Sequence, residues 1–254
     1  MNVIVVPNRA WALERNDRRL HFASGPDATM FAESGPFHVT LHRHPAWKVV
    51  LPLGGHVEVG HGAGRTVAAT GVIVPPQLAH TCAASAGYVA LFLDPWVLCP
   101  GLGLARLGDR AARRILAALG HTGTPGPGPG RDSDLAAARA ELLSFTGAGR
   151  PVDPRVTHAV QECTRAGSGV PVGSLAADVG LSPSRLRTLV HGSVGVPLTR
   201  LRQWARLRVA VADLPRESAA SAAAVAGFAD QAHFTRTARS LLGRTPASIG
   251  RSST

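Results

Sequence analysis

Polar side chains in two short stretches near the carboxy terminus could recognise the bases of DNA. Arg187 lies in the first stretch, and Gln231 and Arg236 lie in the second. An arginine guanidinium can make two hydrogen bonds to guanine, and a glutamine carboxamide can make two to adenine. Neighbouring arginines could contact phosphates or could lie on a solvated helix face. These arginines are Arg185, Arg200, Arg202, Arg239 and Arg244.

The first stretch has the pattern of a helix, a glycine turn and a second helix. Apolar residues of 175–179 fall on one helical face, and Gly180 can adopt the positive φ that ends a helix. Ser182 and Pro183 suit the N-cap and the first position of a new helix. The pattern places apolar residues of this helix inward and polar ones outward. The outward residues are Ser184, Arg185, Arg187, Thr188 and His191.

The same pattern recurs at residues 222–242. Gly227 follows an alanine-rich helix, and Asp230 caps a helix whose outward residues are Gln231, Ala232, Thr235, Arg236 and Arg239. An amphipathic helix predicted at 197–214 joins the two units and spans about 26 Å. When the helix diameters are added to this length, the two outward faces could meet successive major grooves, which lie about 34 Å apart. One such pattern is common in helical bundles, whereas two that are joined and basic favour DNA binding.

The distribution of charge supports this interpretation. The formal net charge is +11, and from residue 168 onward eleven arginines face only four acidic residues, a net +7. Such a segment suits a polyanion, although a GC-rich genome alone would produce a milder excess of arginine.

The carboxy-terminal residues resemble the AraC/XylS-type transcription regulators. The resemblance covers 153–254 and rests on the runs at 175–184, 206–214, 227–236 and 243–246, of which the last two are highly specific. It implies seven helices, two reading helices in successive major grooves of double-stranded DNA, and contact with RNA polymerase. Carried over position by position, it assigns base reading to Ser184, Arg187, Thr188, Gln231, Ala232, Thr235 and Arg236.

The amino-terminal part consists of short apolar runs followed by helical patterns. The runs at 37–41, 49–53, 56–59, 67–74 and 88–93 are separated by glycine and proline, which is typical of a small barrel or sandwich. Helical spacing follows at 104–119 and 135–145, with a surface loop predicted at 124–130. We expect an α+β protein with a cupin-like β-barrel domain and accessory helices at 1–147, a linker at 148–152 and an all-α domain at 153–254.

The strand region resembles the cupin-like effector domain of the same family. His42 and His44 precede the glycine turn at 54–55, and His80 ends a proline-rich run. Metal-binding cupins carry a glutamate where this chain has Lys48, and an ammonium group there would repel a divalent ion. We therefore expect no metal and no cofactor. The four residues could line a pocket for a small, anionic effector, or the histidines could hydrogen-bond within the barrel.

Two other functions are also compatible with the sequence. A metal-dependent cupin enzyme would have no use for a double DNA-reading domain, and a regulator could respond to a partner protein instead of a ligand. The helices at 104–119 and 135–145 correspond to the dimerisation helices of the family, but their apolar faces could equally pack on the barrel. We expect a homodimeric regulator without enzymatic activity.

The expected cellular compartment of the protein follows from its cysteines and its hydropathy. Cys82, Cys99 and Cys163 are far apart and lack metal-ligand spacing, which indicates free thiols in a reducing cytoplasm. The short apolar run at 3–6 is typical of a strand and too short for a signal peptide. No run approaches the roughly 18 apolar residues of a membrane span, so the protein is expected to be cytoplasmic.

Overall fold

The computed structural model describes residues 9–15, 17–26, 28–121, 133–165 and 169–249. The strand predicted at 3–6 and the loop predicted at 124–130 lie outside the described residues. Within the described ranges, no helix has the length and apolar character needed to cross a membrane.

The amino-terminal part is built from strands and two helices. The strands are β1 (Arg9–Arg15), β2 (Arg18–Ser24), β3 (Ala28–Glu33), β4 (Phe37–His42), β5 (Trp47–Pro52), β6 (Val57–His61), β7 (Arg65–Ala69), β8 (Val72–Val74), β9 (His80–Ala84), β10 (Tyr88–Leu93) and β11 (Ala105–Arg106). A short 3₁₀ turn at Pro100–Leu102 precedes β11, and the helices α1 (Asp109–Ala118) and α2 (Leu135–Thr146) follow it.

The strands form two sheets and not the predicted closed barrel. One sheet has the order β1-β2-β3-β10-β5-β8-β11, and the other has the order β4-β9-β6-β7. In the described part of the chain no ladder joins the two sheets. Apolar side chains from both sheets, such as Val39 and Val50, nevertheless pack in one cluster. The arrangement is a sandwich, the alternative that the strand pattern had left open.

The five apolar runs were correctly predicted as strands, with one division. The run at 67–74 separates into β7 and β8, while β1, β2, β3 and β9 were not predicted. The helix predicted at 104–119 begins only at Asp109, because Ala105 and Arg106 pair with β8. Both accessory helices pack on the longer sheet in a cluster that includes Met30, Leu91, Ile115 and Leu142.

The carboxy-terminal part is all helical, as predicted. Seven helices lie in the described ranges 153–165 and 169–249, namely α3 (Pro154–Thr164), α4 (Val172–Asp178), α5 (Pro183–Val194), α6 (Leu198–Asp213), α7 (Ala219–Val225), α8 (Gln231–Leu242) and α9 (Pro246–Ile249). Gly180 and Gly227 adopt φ of +67° and +77° in the turns after α4 and α7. Both helix-turn-helix units are therefore present where the caps and glycines predicted them.

The two parts share one hydrophobic core. The sandwich residues Phe22, Tyr88 and Phe92 belong to the same cluster as Trp204 and Val211 of α6. The rings of Phe92 and Trp204 lie 5.1 Å apart, and the Trp11 indole donates a hydrogen bond of 3.2 Å to the Val211 carbonyl. The long helix between the two helix-turn-helix units is thus held against the sandwich.

Candidate functional site

The first predicted reading helix, α5, presents its polar face to solvent. The Ser182 hydroxyl accepts a hydrogen bond from the Arg185 amide and caps the helix, while Leu186 and Val190 are buried beneath it. Ser184, Arg187 and Thr188 are all exposed. The Thr188 hydroxyl donates to the Ser184 carbonyl at 3.1 Å. Of the three exposed side chains, Arg187 therefore provides the longest hydrogen-bond donor.

The second predicted reading helix, α8, has the same construction. The Asp230 carboxylate caps it by accepting from the His233 amide, and Phe234 and Leu241 anchor its inner face. The predicted reading residues lie on the outer face, where Gln231, Ala232 and Arg236 are exposed and Thr235 is half-buried. The side chains assigned to base reading are thus accessible on both helices.

The five arginines predicted to contact phosphate fall into three groups, of which Arg244 alone forms the third. Arg185 and Arg239 are exposed. Arg200 lies 3.3 Å from the Ser240 hydroxyl, and Arg202 donates to the Val170 carbonyl at 2.6 Å, so both are partly engaged within the domain.

The structure contradicts the prediction that Arg244 contacts a phosphate. Its side chain is 14% exposed, and its guanidinium pairs with the Glu33 carboxylate at 2.6 Å and donates to the Tyr88 hydroxyl at 3.0 Å. Burial raises the pKa of Tyr88, so this hydroxyl stays protonated beside the ion pair. A guanidinium used in this way cannot also reach a phosphate, and Arg244 instead joins the two parts of the protein.

The carboxy-terminal end of α8 is also bonded to the sandwich. The Thr40 hydroxyl and amide donate to the Gly243 carbonyl at 3.1 and 3.4 Å, and the Arg43 amide donates to the Ser240 carbonyl at 3.0 Å. A reading helix is therefore docked on strand β4. The sandwich contacts α6 and α8, whereas no hydrogen bond among the described residues joins it to α5.

The residues predicted to form the effector pocket do come together, but as a closed cluster. His42, His44, Lys48 and His80 are at most 4% exposed. The His42 and His80 side chains come from β4 and β9 of the shorter sheet, and Lys48 comes from β5 of the longer one. The Lys48 ammonium nitrogen lies 3.4 Å from Nε2 of both His42 and His80. The cluster thus lies between the two sheets.

Burial keeps the cluster histidines neutral. It lowers the pKa of His42 to about 2 and that of His80 to about 3, with the Lys48 charge acting in the same direction. Burial likewise holds the pKa of His44 well below its ordinary value. Their Nδ1 atoms face the backbone carbonyls of Thr40, Ala46 and Leu78. The Nδ1 atom therefore carries the proton in each ring, and Nε2 keeps a lone pair.

A cavity lies beside this cluster, between the sandwich and the helical domain. Of the four predicted pocket residues Lys48 lines it, and the three histidines lie in the closed cluster behind Lys48. Its walls are mainly aromatic and aliphatic, and two cations from the helical domain, Arg208 and Arg244, also line it. Sequence reasoning missed these residues, and a basic side chain on the inner face of α6 was the available signal for Arg208.

Comparison with known proteins identifies the helical domain. Residues 175–252 match a family model described as a helix-turn-helix domain. The carboxy-terminal part of this chain is an AraC-type helix-turn-helix domain. The predicted resemblance is therefore confirmed for the part that carries α4 to α9.

The whole fold is similar to that of ToxT from Vibrio cholerae. An apo form of a ToxT variant is 10% identical, with a TM-score of 0.59, and the match covers 89% of this chain and 97% of that one. A structure of ToxT with an unsaturated fatty acid bound is 9% identical, with a TM-score of 0.57 over 87% and 93% of the two chains. These identities show a shared fold alone. The comparison with curated protein sequences gave no match.

Proposed function

We propose that this protein is a DNA-binding transcription regulator that reads two adjacent major grooves with α5 and α8. The observation that carries the proposal is a helix-turn-helix domain whose two capped reading helices both present accessible polar faces. Arg187, Gln231 and Arg236 supply the discriminating hydrogen bonds. Ser184, Thr188, Ala232 and Thr235 complete the faces that contact bases.

Arg185 and Arg239 contribute phosphate contacts that set register and affinity. Arg200 and Arg202 join them only if their contacts within the domain are exchanged for phosphate. The protein acts as a homodimer on paired half-sites and contacts RNA polymerase, as the family resemblance implies. We divide the chain into a sensor domain at 1–147, a linker at 148–152 and a DNA-binding domain at 153–254, and we assign it no enzymatic activity.

The effector is a small molecule with an apolar body and an anionic group, bound in the cavity between the two domains. The aromatic walls would bury the apolar body, and Lys48 and Arg208 would hold the charge. Arg244 is less available because Glu33 already neutralises it. The fatty acid seen in ToxT, whose fold this chain shares, supports the same ligand class.

A selection from random duplexes tests DNA binding. The full chain is expected to enrich a motif with two half-sites about one helical turn apart, and the fragment 153–254 should bind the same motif. Affinity should fall steeply as salt rises, because neutralised phosphates release counterions. Enrichment of no motif, with binding that depends only on duplex length, would contradict sequence-specific regulation.

Thermal denaturation tests the effector. An unsaturated fatty acid should raise the Tm of the full chain, and its methyl ester should not, because the ester lacks the charge. The Arg208→Gln variant should lose most of this stabilisation. Equal responses to acid and ester would reject an anionic effector, and no response to either would favour control by a partner protein.

A further inference from the structure

A further cavity lies between helices of the DNA-binding domain, apart from the one assigned to the effector. Its walls come from the end of α3, the middle of α6 and the turn that joins α7 to α8. The cavity measures about 140 Å³, and about 10–15 Å³ is enough for one water molecule. It therefore has room for a small polyatomic ion. None of the described residues that we assign to base reading lines it.

Three arginines line this cavity. Arg202 and Arg206 belong to α6, and Arg165 directly follows α3. Glu162 pairs with Arg165, but no described carboxylate lies within salt-bridge distance of the other two guanidinium groups. Cys163 also lines the cavity, and burial raises the pKa of its thiol, so the thiol stays neutral. The walls therefore carry an excess of positive charge that attracts an anion.

Arg202 has a buried donor that lacks an acceptor. One terminal nitrogen of its guanidinium donates to the Val170 carbonyl at 2.6 Å. Its Nε atom, in contrast, is buried and has no hydrogen-bond partner. Because an unpaired buried donor costs free energy, this atom indicates an acceptor that enters the cavity from solution.

Arg206 lies against the turn that precedes the second reading helix. A Cβ atom built on Gly227 would lie 3.6 Å from Nε of this arginine. The equivalent glycine of the first helix-turn-helix unit, Gly180, has nothing within 4 Å of such an atom. The two units therefore differ, because a guanidinium group lies beside the turn of the second one.

We propose that this cavity binds one free tetrahedral oxyanion such as inorganic phosphate, held by the guanidinium groups of Arg202 and Arg206. The half-exposed Arg165 lies at its edge. A guanidinium group offers a rigid, planar set of donors that matches the oxygens of phosphate. The ion supplies the acceptor that Nε of Arg202 lacks and balances the charge that no carboxylate balances. Unlike a contact with DNA, this role leaves the bond from Arg202 to the Val170 carbonyl in place.

The bound ion connects α6 to the turn from which α8 begins. Arg206 contributes to both, because it belongs to α6 and lies beside Gly227. Phosphate therefore stiffens the turn of the second helix-turn-helix unit and leaves the turn of the first unit unchanged. The site lies outside the proposed effector cavity and regulates a different part of the domain.

Calorimetry of the full chain tests the site. In phosphate-free buffer at fixed ionic strength, inorganic phosphate should bind at one site per chain, and added chloride should give no saturable binding. Arg206→Gln should weaken phosphate binding at least about 10-fold, through the loss of charge-assisted hydrogen bonds. Arg206→Lys keeps the charge but not the planar donors, so its affinity should fall between the two. Arg216 is exposed beyond the end of α6, and Arg216→Gln is the matched control that should bind as wild type.

Three calorimetric results would overturn the assignment. No phosphate binding by a wild-type chain with a native circular dichroism spectrum would reject the site. Unchanged binding by folded Arg206→Gln would place the ion elsewhere. Equal losses for Arg206→Gln and Arg216→Gln would mean that phosphate responds only to the net charge of the chain. If Arg206→Gln does not fold, Arg206→Lys gives the same comparison with the charge retained.

Hydrogen exchange locates the bound ion. The Gly227 amide donates to the Ala224 carbonyl at 3.0 Å, and the Gly180 amide makes the same 3.0 Å bond to the Ala177 carbonyl in the first unit. Phosphate should slow exchange at Gly227 in wild type, but not in Arg206→Gln, and should leave Gly180 unchanged. Equal slowing at both glycines would contradict an ion bound beside the second turn.

Duplex binding distinguishes a free ion from a phosphate of the DNA backbone. In phosphate-free buffer, Arg206→Gln should weaken binding to the selected duplex no more than Arg216→Gln does. A larger loss would assign the cavity to the DNA backbone and overturn the free-ion assignment. The calorimetric and exchange measurements contain no DNA, so failure of this site and failure of the proposed regulatory function can be told apart.

Discussion

At the scale of the residue, the arginines of the helical domain differ in what their guanidinium groups contact. Arg236 and Arg239 are exposed on α8, whereas Arg244 is buried against Glu33. An exposed guanidinium keeps all its donors for DNA, and one that is paired and desolvated does not. The type of residue therefore does not decide its role, and its surroundings do.

Substituting the two exposed arginines of α8 should distinguish base reading from phosphate contact. Arg236→Ala is expected to cost about 1–3 kcal/mol at one base position and to relax preference there. Arg239→Ala is its matched control on the same helix, and it should weaken all duplexes about equally and lower the salt slope by about 1. Affinities for single-base variants of the selected duplex at several salt concentrations measure both effects. A uniform loss for Arg236→Ala would make it a phosphate contact.

A second residue-scale effect concerns His21 and His121, which lie in the sandwich domain. Burial lowers the pKa of both, and the neighbouring His21 lowers that of His121 further. A histidine whose pKa is lowered in the folded state takes up its proton more readily when unfolded. Folding stability is therefore fully present above the unfolded pKa of about 6.5 and falls as the pH drops below it.

Urea unfolding between pH 8 and pH 5.5 checks this effect. Wild type should lose stability over that window, and the His21→Gln, His121→Gln double variant should lose less. The cluster histidines contribute to the same slope, so the substitutions should remove only part of it. Substituting exposed His38 by Gln is the control. A double variant with the wild-type slope would show that these two rings titrate alike in both states.

At the scale of the element, two glycines that end the reading helices have the same backbone but different neighbours. Gly195 ends α5 with φ of +70°, and Gly243 ends α8 with φ of +68°. Nothing lies within 4 Å of a Cβ added at Gly195, whereas one at Gly243 would meet backbone of β4. The pair therefore separates the strain of a positive φ from the docking of α8 on the sandwich.

Alanine at each position should give different losses. Gly195→Ala is expected to cost about 1–2 kcal/mol, the left-handed strain alone. Gly243→Ala should cost more, because the Cβ must also displace Thr40. It should also speed amide exchange at Arg43, which Gly195→Ala should leave unchanged. Urea unfolding and hydrogen exchange measure the two effects. Equal losses would mean that α8 is not held by β4.

Local signals made the helical elements predictable, and long-range pairing made the strands harder. Ser182, Asp230 and the two turn glycines act within a few residues of themselves, so their sequence alone located both reading helices. Strands β1 and β2 carry arginines near their ends, and the pairing of β1, β2 and β3 depends on partners that sequence does not specify. The contact between Glu33 and Arg244 joins residues 211 positions apart. No local sequence pattern predicts such a pair.

At the scale of the whole molecule, the two domains are joined by a common core and by two ion pairs of different exposure. Arg244 and Glu33 form a pair with side chains 14% and 2% exposed, and Arg9 and Asp213 form one that is 41% and 20% exposed. A regulator that moves its domains must break both. Breaking the pair of Arg244 and Glu33 costs more free energy, because its buried charges have no water to replace the lost partner.

Removing one partner from each pair tests this difference. Arg244→Met should cost about 3–5 kcal/mol, because Glu33 stays buried with only Arg18 at 3.2 Å and Tyr88 loses a donor. Arg9→Met should cost about 0–1 kcal/mol, since water can solvate Asp213. Urea unfolding of the full chain gives both values. Pairing Arg244→Met with Glu33→Gln should recover part of the loss, because no buried charge then lacks a partner. Equal costs for the two single variants would instead mean that the apolar contacts of Trp204 and Val211 hold the domains together and that the ion pairs only orient them.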